Sequence, residues 1–391
     1  MRRGGSRGDR GAGDGPSGRP DLRRGEGSAA ERAEVHPARP RRLRRSPLRY
    51  VTATVLVLTV CLLLLVQAGA TGVRPAVQST PSPIASCPTS FRVGFVTDVA
   101  GLRSAVDAEG WRGVGDALRD LPCAHAERTE SRRPSDYRGN LQAAADRHDD
   151  LVIAGSFLLT DAVVDAARAN PATHFVLVDP IVVPAALPNL LVLSFRRDQA
   201  AFLAGALAVM ITRTGIVAGV YGPAGADDRT NRLGFEHGAQ YVRPGIRPLG
   251  AYQPADAGAP YANPAWGAAQ ALTFVDQGAD VIYGAGGSTG VGALQAAARA
   301  GRLCIGAGTT DDLASTSCLL TSSVKFIDRG VRLAVSDAAA GRWSSGVQAL
   351  GLAQDAVGLS PLTDPRLTPG MRQRLQTISD LLASGALATG A

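Results

Sequence analysis

The chain has 391 residues, of which 45% are apolar, enough for one large or two medium domains. Its formal charge of +7 is unevenly placed: residues 1–50 hold 14 arginines against six acids, which leaves the remainder at −1. The part able to fold is near neutral, which excludes nucleic-acid binding, since that needs a basic patch on the domain itself.

Residues 1–50 are rich in Gly, Arg and Pro with almost no aromatics, and read as a disordered, basic, cytoplasmic tail. The stretch VTATVLVLTVCLLLLVQAGA, residues 51–70, carries no charge. Twenty helical residues would span ~30 Å, the thickness of a bilayer core. Arginines precede it and are scarce just after it, which orients the N-terminus toward the cytoplasm. The segment reads in three ways: a single-pass transmembrane anchor, a signal peptide cut after the Ala-Gly-Ala of residues 68–70, or a lipoprotein leader ending at Cys61 or Cys87. All three put residues from about 71 outside the cytoplasm, either held at the cell membrane or released after signal cleavage. Residues 71–87 are a Pro/Ser linker.

Regular alternation follows. The runs FRVGFVTD, DLVIAGS, THFVLVDP, NLLVLSF, GIVAGVYG, DVIYGAG and RLCIGAG read as strands buried on both faces. Helical patterns separate most of them, at 100–121, 141–148, 160–170, 198–212, 229–242, 264–277 and 290–300. A last helix runs over 368–382, with Thr368 as N-cap and Pro369 at its first position. Strand and helix in repetition predict an α/β fold of parallel sheets flanked by helices.

Four cysteines lie beyond the apolar segment: Cys87, Cys123, Cys304 and Cys318. An even number in an oxidising compartment predicts two disulfides. Three pairings are open. The expected one, Cys87–Cys123 with Cys304–Cys318, keeps each bridge inside one local unit. The alternative is buried free thiols. The spacings fit no zinc site and the five histidines are scattered, so no metal and no cofactor are expected.

No nucleophile elbow, Walker loop or zinc-protease motif is present, and no nucleophile–base pair assembles from the sequence. GAGGSTGVG, residues 284–292, follows a strand and opens a helix. Its spacing is wrong for a dinucleotide loop, so it reads as a turn whose backbone N–H groups face a cleft, with Gly287 as its candidate ligand contact. Asp98 and Asp179 stand at strand ends, where an Asp usually forms a turn or cap. Lys325 is the only lysine in a chain whose Lys and Arg together number 41. Retention of one lysine where arginine has replaced all others suggests a role that a guanidinium cannot fill.

Together these stretches resemble a known family. VGFVTDVAG, DLVIAGSFLLTDAVVDAARANPATHFVLVD, PNLLVLSFRRDQAAFLAGALA, GADVIYGAGGSTGVGALQAAA and LLTSSVK occur in order between residues 91 and 387 and are similar to the BMP (basic membrane protein) family of ABC-transporter substrate-binding proteins, which includes nucleoside receptors. The resemblance implies a type I periplasmic-binding-protein fold: two α/β lobes with a ligand cleft between them. Lobe one is expected at 88–194 plus 320–345, and lobe two at 195–319 plus 346–391. It also implies ligand contacts from Asp98, Asp179 and Lys325. Where the family carries a stacking Phe and then an Asn, this chain has Val106 and Asp107. Asn231 replaces a second aromatic, and Gly308 replaces a ribose-binding Asp. Phe157 is a candidate to restore one apolar face, and Asp107 to restore polarity. The implied function is extracytoplasmic capture of a small polar, nucleoside-like solute for an ABC permease. The alternative is a membrane-anchored sensor or scaffold that keeps the fold, has lost nucleoside binding, and meets a signalling partner instead.

Overall fold

The structure of the protein, a computed structural model, describes residues 90–309 and 317–391. The basic tail, the apolar segment 51–70, the linker and Cys87 fall outside them. Among the described residues, no helix is long and apolar enough to cross a membrane.

In chain order the strands are β1 (Phe91–Val96), β2 (Ala124–Thr129), β3 (Leu151–Ala154), β4 (His174–Val178), β5 (Leu190–Phe195), β6 (Val217–Tyr221), β7 (Leu249–Tyr252), β8 (Val281–Gly284), β9 (Leu303–Thr309), β10 (Leu319–Lys325), β11 (Gly346–Leu350) and β12 (Val357–Leu359). The helices are α1 (Ala105–Arg119), α2 (Asp136–Asp146), α3 (Thr160–Ala169), α4 (Arg197–Ile211), α5 (Ala226–Val242), α6 (Pro264–Asp276), α7 (Ser288–Arg299), α8 (Ile327–Ala339) and α9 (Pro369–Ala383).

The strands form two six-stranded sheets, in the orders β11-β5-β4-β3-β1-β2 and β12-β10-β9-β8-β6-β7. Every pairing is parallel except β10 with β12. This is the expected two-lobed α/β architecture. The allocation of two strands differs from expectation. β10, anticipated in lobe one, pairs with β9 in the second sheet, and β11, anticipated in lobe two, pairs with β5 in the first. The chain therefore changes sheet after β10 rather than before it, and again only after β11.

Period-two burial explains the layers. Val93, Phe95, Leu151 and Ile153 face a core shared with Val114 of α1 and Val331 of α8. Their neighbours Val96, Val152 and Ala154 face the other side, against Leu141 of α2 and Val163 of α3. The second sheet repeats the plan, with α4, α5 and α9 on one face and α6 and α7 on the other. α4 is apolar nearly all round, as a helix must be when packed between a sheet and two other helices. A Cβ at Gly205 of α4 would overlap the carbonyl oxygen of Phe235 in α5, and one at Gly238 of α5 would overlap that of Phe202. The two helices cross at backbone distance through these residues.

Three segments carry the chain between sheets: Arg196 between β5 and α4, Phe326 between β10 and α8, and residues 351–356 between β11 and β12. They are bonded to one another or to the neighbouring strand. Arg196 N donates to Leu350 O at 2.7 Å and Phe326 N to Ala356 O at 2.9 Å. Cys304 and Cys318 form the expected disulfide, with Cα atoms 5.2 Å apart. The expected partner of Cys123 is Cys87, which lies outside the described residues.

Candidate functional site

Both sheets send their strands out by the carboxyl end toward the crossing segments. In open α/β sheets that edge is where ligands lie. The strand ends place Asp98 after β1, Phe157 after β3, Asp179 after β4, Gly287 after β8 and Lys325 at the end of β10.

Asp179 and Lys325 meet. Lys325 Nζ donates to Asp179 Oδ2 at 2.5 Å, and Arg197 Nη2, from the first turn of α4, donates to Asp179 Oδ1 at 3.0 Å. Asp179 adopts a left-handed backbone, φ 48°, which aims it out of the sheet at the strand end. Burial acts to raise its pKa, but the charges and hydrogen bonds of Lys325 and Arg197 outweigh that and hold the carboxyl below the usual range. Lys325 belongs to the second sheet and Asp179 to the first, so the pair links the two lobes at their common edge. Arg197 carries no assigned role in the sequence reading. Its signal was the double arginine in FRRDQ directly after β5, of which Arg196 pairs with Asp198 at 2.7 Å and Arg197 turns to Asp179.

Asp98 and Asp107 form a second group. Asp98 Oδ1 accepts from Ala100 N at 2.7 Å and its carbonyl accepts from Gly101 N at 3.1 Å, so it shapes the turn after β1. Asp107 sits in the first turn of α1, where Ser104 caps the helix. It is fully buried, and its Oδ2 accepts from Asp98 N at 2.9 Å. Its Oδ1 has no hydrogen-bond partner and lies against Gly155. Burial pushes the Asp107 carboxyl up to about 8; the Asp98 N–H opposes this, and the nearby Asp98 carboxylate reinforces it. Asp107 is therefore a neutral acid at pH 7, closer in character to an amide than to a carboxylate.

Phe157 opens a short 3-10 turn after β3 and is 42% exposed, while the preceding Ser156 is buried and caps that turn through Leu158 N. Gly287 precedes α7 with φ 61°. A Cβ there would stand 2.8 Å from the Tyr261 carbonyl oxygen, so the position needs glycine for backbone reasons alone. The same carbonyl accepts from Thr289 N at 3.4 Å, which occupies one of the helix's free donors. Val106 is half-buried and packs against the core of the first sheet, as Trp111 of the same helix does. Among the described residues, no three His, Cys, Asp or Glu side chains converge as a metal site would require.

The geometry therefore gathers Asp179, Lys325 and Arg197 into one charged triad, and Asp98 with Asp107 into a buried carboxyl pair. Phe157 and Gly287 sit on separate loops of the two sheets' carboxyl edges.

Comparison with known proteins fits this arrangement. The family model described as ABC transporter substrate-binding protein, PnrA-like, matches residues 100–379. Basic membrane protein A1 of Borrelia garinii subsp. bavariensis is 26% identical over 204 residues, covering 51% of this chain and 59% of that protein. The chain thus spans about six-tenths of the length of such relatives. The CD4+ T-cell-stimulating antigen of Listeria monocytogenes is 26% identical over 300 residues, 70% of this chain and 81% of that one. A solved ABC transporter solute-binding protein from Conexibacter woesei shares the fold, with TM-score 0.60 at 19% identity over 76% of this chain and 98% of that chain. With its family model matched across both sheets and the crossing segments between them, the chain belongs to the PnrA-like, basic-membrane-protein family of ABC transporter substrate-binding proteins.

Proposed function

We propose that this chain captures a small polar solute in the cleft between its two sheets and hands it to an ABC permease outside the cytoplasm. A solute-binding family is one of binders and not of enzymes, so no covalent step is involved. Binding energy drives lobe closure about the three crossing segments, and the permease reads the closed form. Asp98, Phe157, Asp179, Gly287 and Lys325 are the proposed ligand-facing set, with Asp107 buried behind them and accepting from Asp98 N. Lobe one is 90–195 with 326–350, and lobe two is 196–325 with 351–391. Residues 51–70 hold the protein at the cell membrane or direct its export.

The observation that carries this reading is the Lys325–Asp179 contact, a charge pair contributed from different sheets at the edge where solutes bind. A solute hydroxyl entering there meets an ammonium with rotatable donors and a carboxylate already ionised. One observation favours the second reading, a sensor or scaffold: both oxygens of Asp179 are already occupied by Lys325 and Arg197. Calorimetric titration of the full chain with nucleosides, nucleobases and sugars separates the two. The transport reading expects micromolar binding of at least one compound. Folded protein that binds none of them fits the scaffold.

A further inference from the structure

We infer that the solute presents an apolar group to lobe one, so that the proposed ligand is amphipathic rather than a plain sugar or nucleoside; this rests on the solute-binding reading above. The inference starts from where apolar surface is left uncovered. Among the described residues, eleven large apolar side chains are exposed, and seven of them stand on three loops: Val99 and Leu102 after β1, Phe157 and Leu158 after β3, and the run 181–183 (Ile-Val-Val) after β4. In the sheet, β4, β3 and β1 are consecutive neighbours. Their exit loops therefore start side by side, and the seven exposed side chains stand on three neighbouring loops at the carboxyl edge of the first sheet. Val182 is 72% exposed. Pro180 and Pro184 bracket that run, which limits its freedom to fold back and hide itself.

The patch is continuous with the inter-lobe contact, because Asp179, which bonds Lys325 of the other sheet, directly precedes Pro180 and residues 181–183. Uncovered apolar surface of this kind marks a binding groove or an interaction site. The charges beside it are already neutralised or turned inward. Asp179 is held by Lys325 and Arg197, Asp98 bonds its own loop, and Asp107 is wholly buried. A site lined this way, mostly apolar with a few fixed polar groups at one end, orients a ligand by its polar end and gains affinity from its apolar end. The occupant is a small molecule with a hydroxylated or amide-bearing head against Asp179 and Lys325 and, beyond any sugar or nucleobase, an aryl or alkyl substituent against Phe157 and residues 181–183.

The test uses matched probe pairs on the full chain by calorimetry: ribose with its 1-O-benzyl riboside, and adenosine with N6-benzyladenosine. The expected result is that the benzyl member of a pair binds about tenfold or more tightly, with a more negative heat-capacity change. Phe157→Ser and, separately, Val182→Ser narrow that gap. Both residues are exposed, so the variants keep the fold, which circular dichroism checks. If parent and benzyl compounds bind equally, the inference falls while solute binding stands. If no probe binds, both fall. If the variants leave affinities alone but abolish self-association in sedimentation, or abolish vesicle or permease binding, the patch covers a macromolecule and the inference is overturned.

Discussion

Lys325 Nζ stands 2.5 Å from Asp179 Oδ2, so the last residue of β10 in the second sheet is tied to the residue that follows β4 in the first. The only lysine of the chain thus bridges the two lobes, while the neighbouring arginine at 197 takes the other carboxylate oxygen. A guanidinium at 325 would add a second planar fork beside the first, at a carboxylate with no oxygen to spare.

Removing the ammonium has a bounded cost. A buried ion pair broken on one side costs about 3–5 kcal/mol when the remaining charge is orphaned. Asp179 keeps Arg197, so Lys325→Met is expected to cost less, about 1–2 kcal/mol. Urea unfolding at pH 7 measures it. The same pair sets an acid limit. The Asp179 carboxyl titrates below its unfolded value of about 3.9. Its contribution to stability is present above that value and is lost as pH falls from about 4 through the lower folded pKa. Asp179→Asn should therefore differ from the parent protein at pH 6 and converge toward it as the pH falls below about 4.

Asp107 carries the opposite sign. Its folded pKa, about 8, lies above its unfolded one. Stability from the protonated acid is full below about pH 4 and declines as pH rises toward 8. Asp107→Asn supplies the neutral form permanently, and Asn is the residue that the family resemblance puts there. The variant should be more stable than the parent by about 1–3 kcal/mol at pH 7.5, with the gain vanishing by pH 4. Equal stability at both pH values would mean that Asp107 stays ionised in the fold.

The disulfide is testable without a ligand. Cys304 and Cys318 lie at adjacent strand starts with 14 residues of sequence separation, and both are buried. Closing a loop of that size stabilises by about 3 kcal/mol through the unfolded state. Cys304→Ala with Cys318→Ala should lower the urea midpoint accordingly, and a reductant should then shift the parent protein by more than it shifts the variant.

Which strands were legible follows from where they sit. The seven apolar runs anticipated in the sequence became β1, β3, β4, β5, β6, β8 and β9, all interior to their sheets. Four of the five strands without such a run, β2, β7, β11 and β12, are the sheet edges. An edge strand is covered on fewer sides, so it needs no continuous Val/Ile/Leu run, and AHAERT in β2 shows none. The fifth, β10, is interior but polar. Thr321 bonds Ser360 and Ser323 bonds Tyr283, so internal hydrogen bonds replace apolar contact. Helix α8 did leave a signal, with Ile327, Val331, Ala334 and Val335 on one face, directly after Lys325 and Phe326.

The candidate site was legible residue by residue but not as an arrangement. Asp179 and Lys325 were each visible at a strand end, yet 146 positions and two different sheets separate them, and only the approach of the carboxyl ends of β10 and β4 brings them together. The role of Arg197 was hidden because its pattern, two arginines and an aspartate after a strand, is satisfied equally well by local pairing, as Arg196 and Asp198 show. The division of the lobes was misplaced at β10 and β11 for a related reason: sheet membership depends on pairing partners far away in sequence.

The most direct measurement is calorimetric titration of the full chain, of Lys325→Arg and of Asp179→Asn with whichever panel compound binds most tightly. If the inter-lobe pair forms part of the solute site, the parent protein binds in the micromolar range and each variant loses affinity by about tenfold or more, near 1.4 kcal/mol, while remaining folded. Unchanged affinity in both variants would contradict the account, leaving Lys325 and Asp179 as a structural tie between lobes that bind their solute elsewhere.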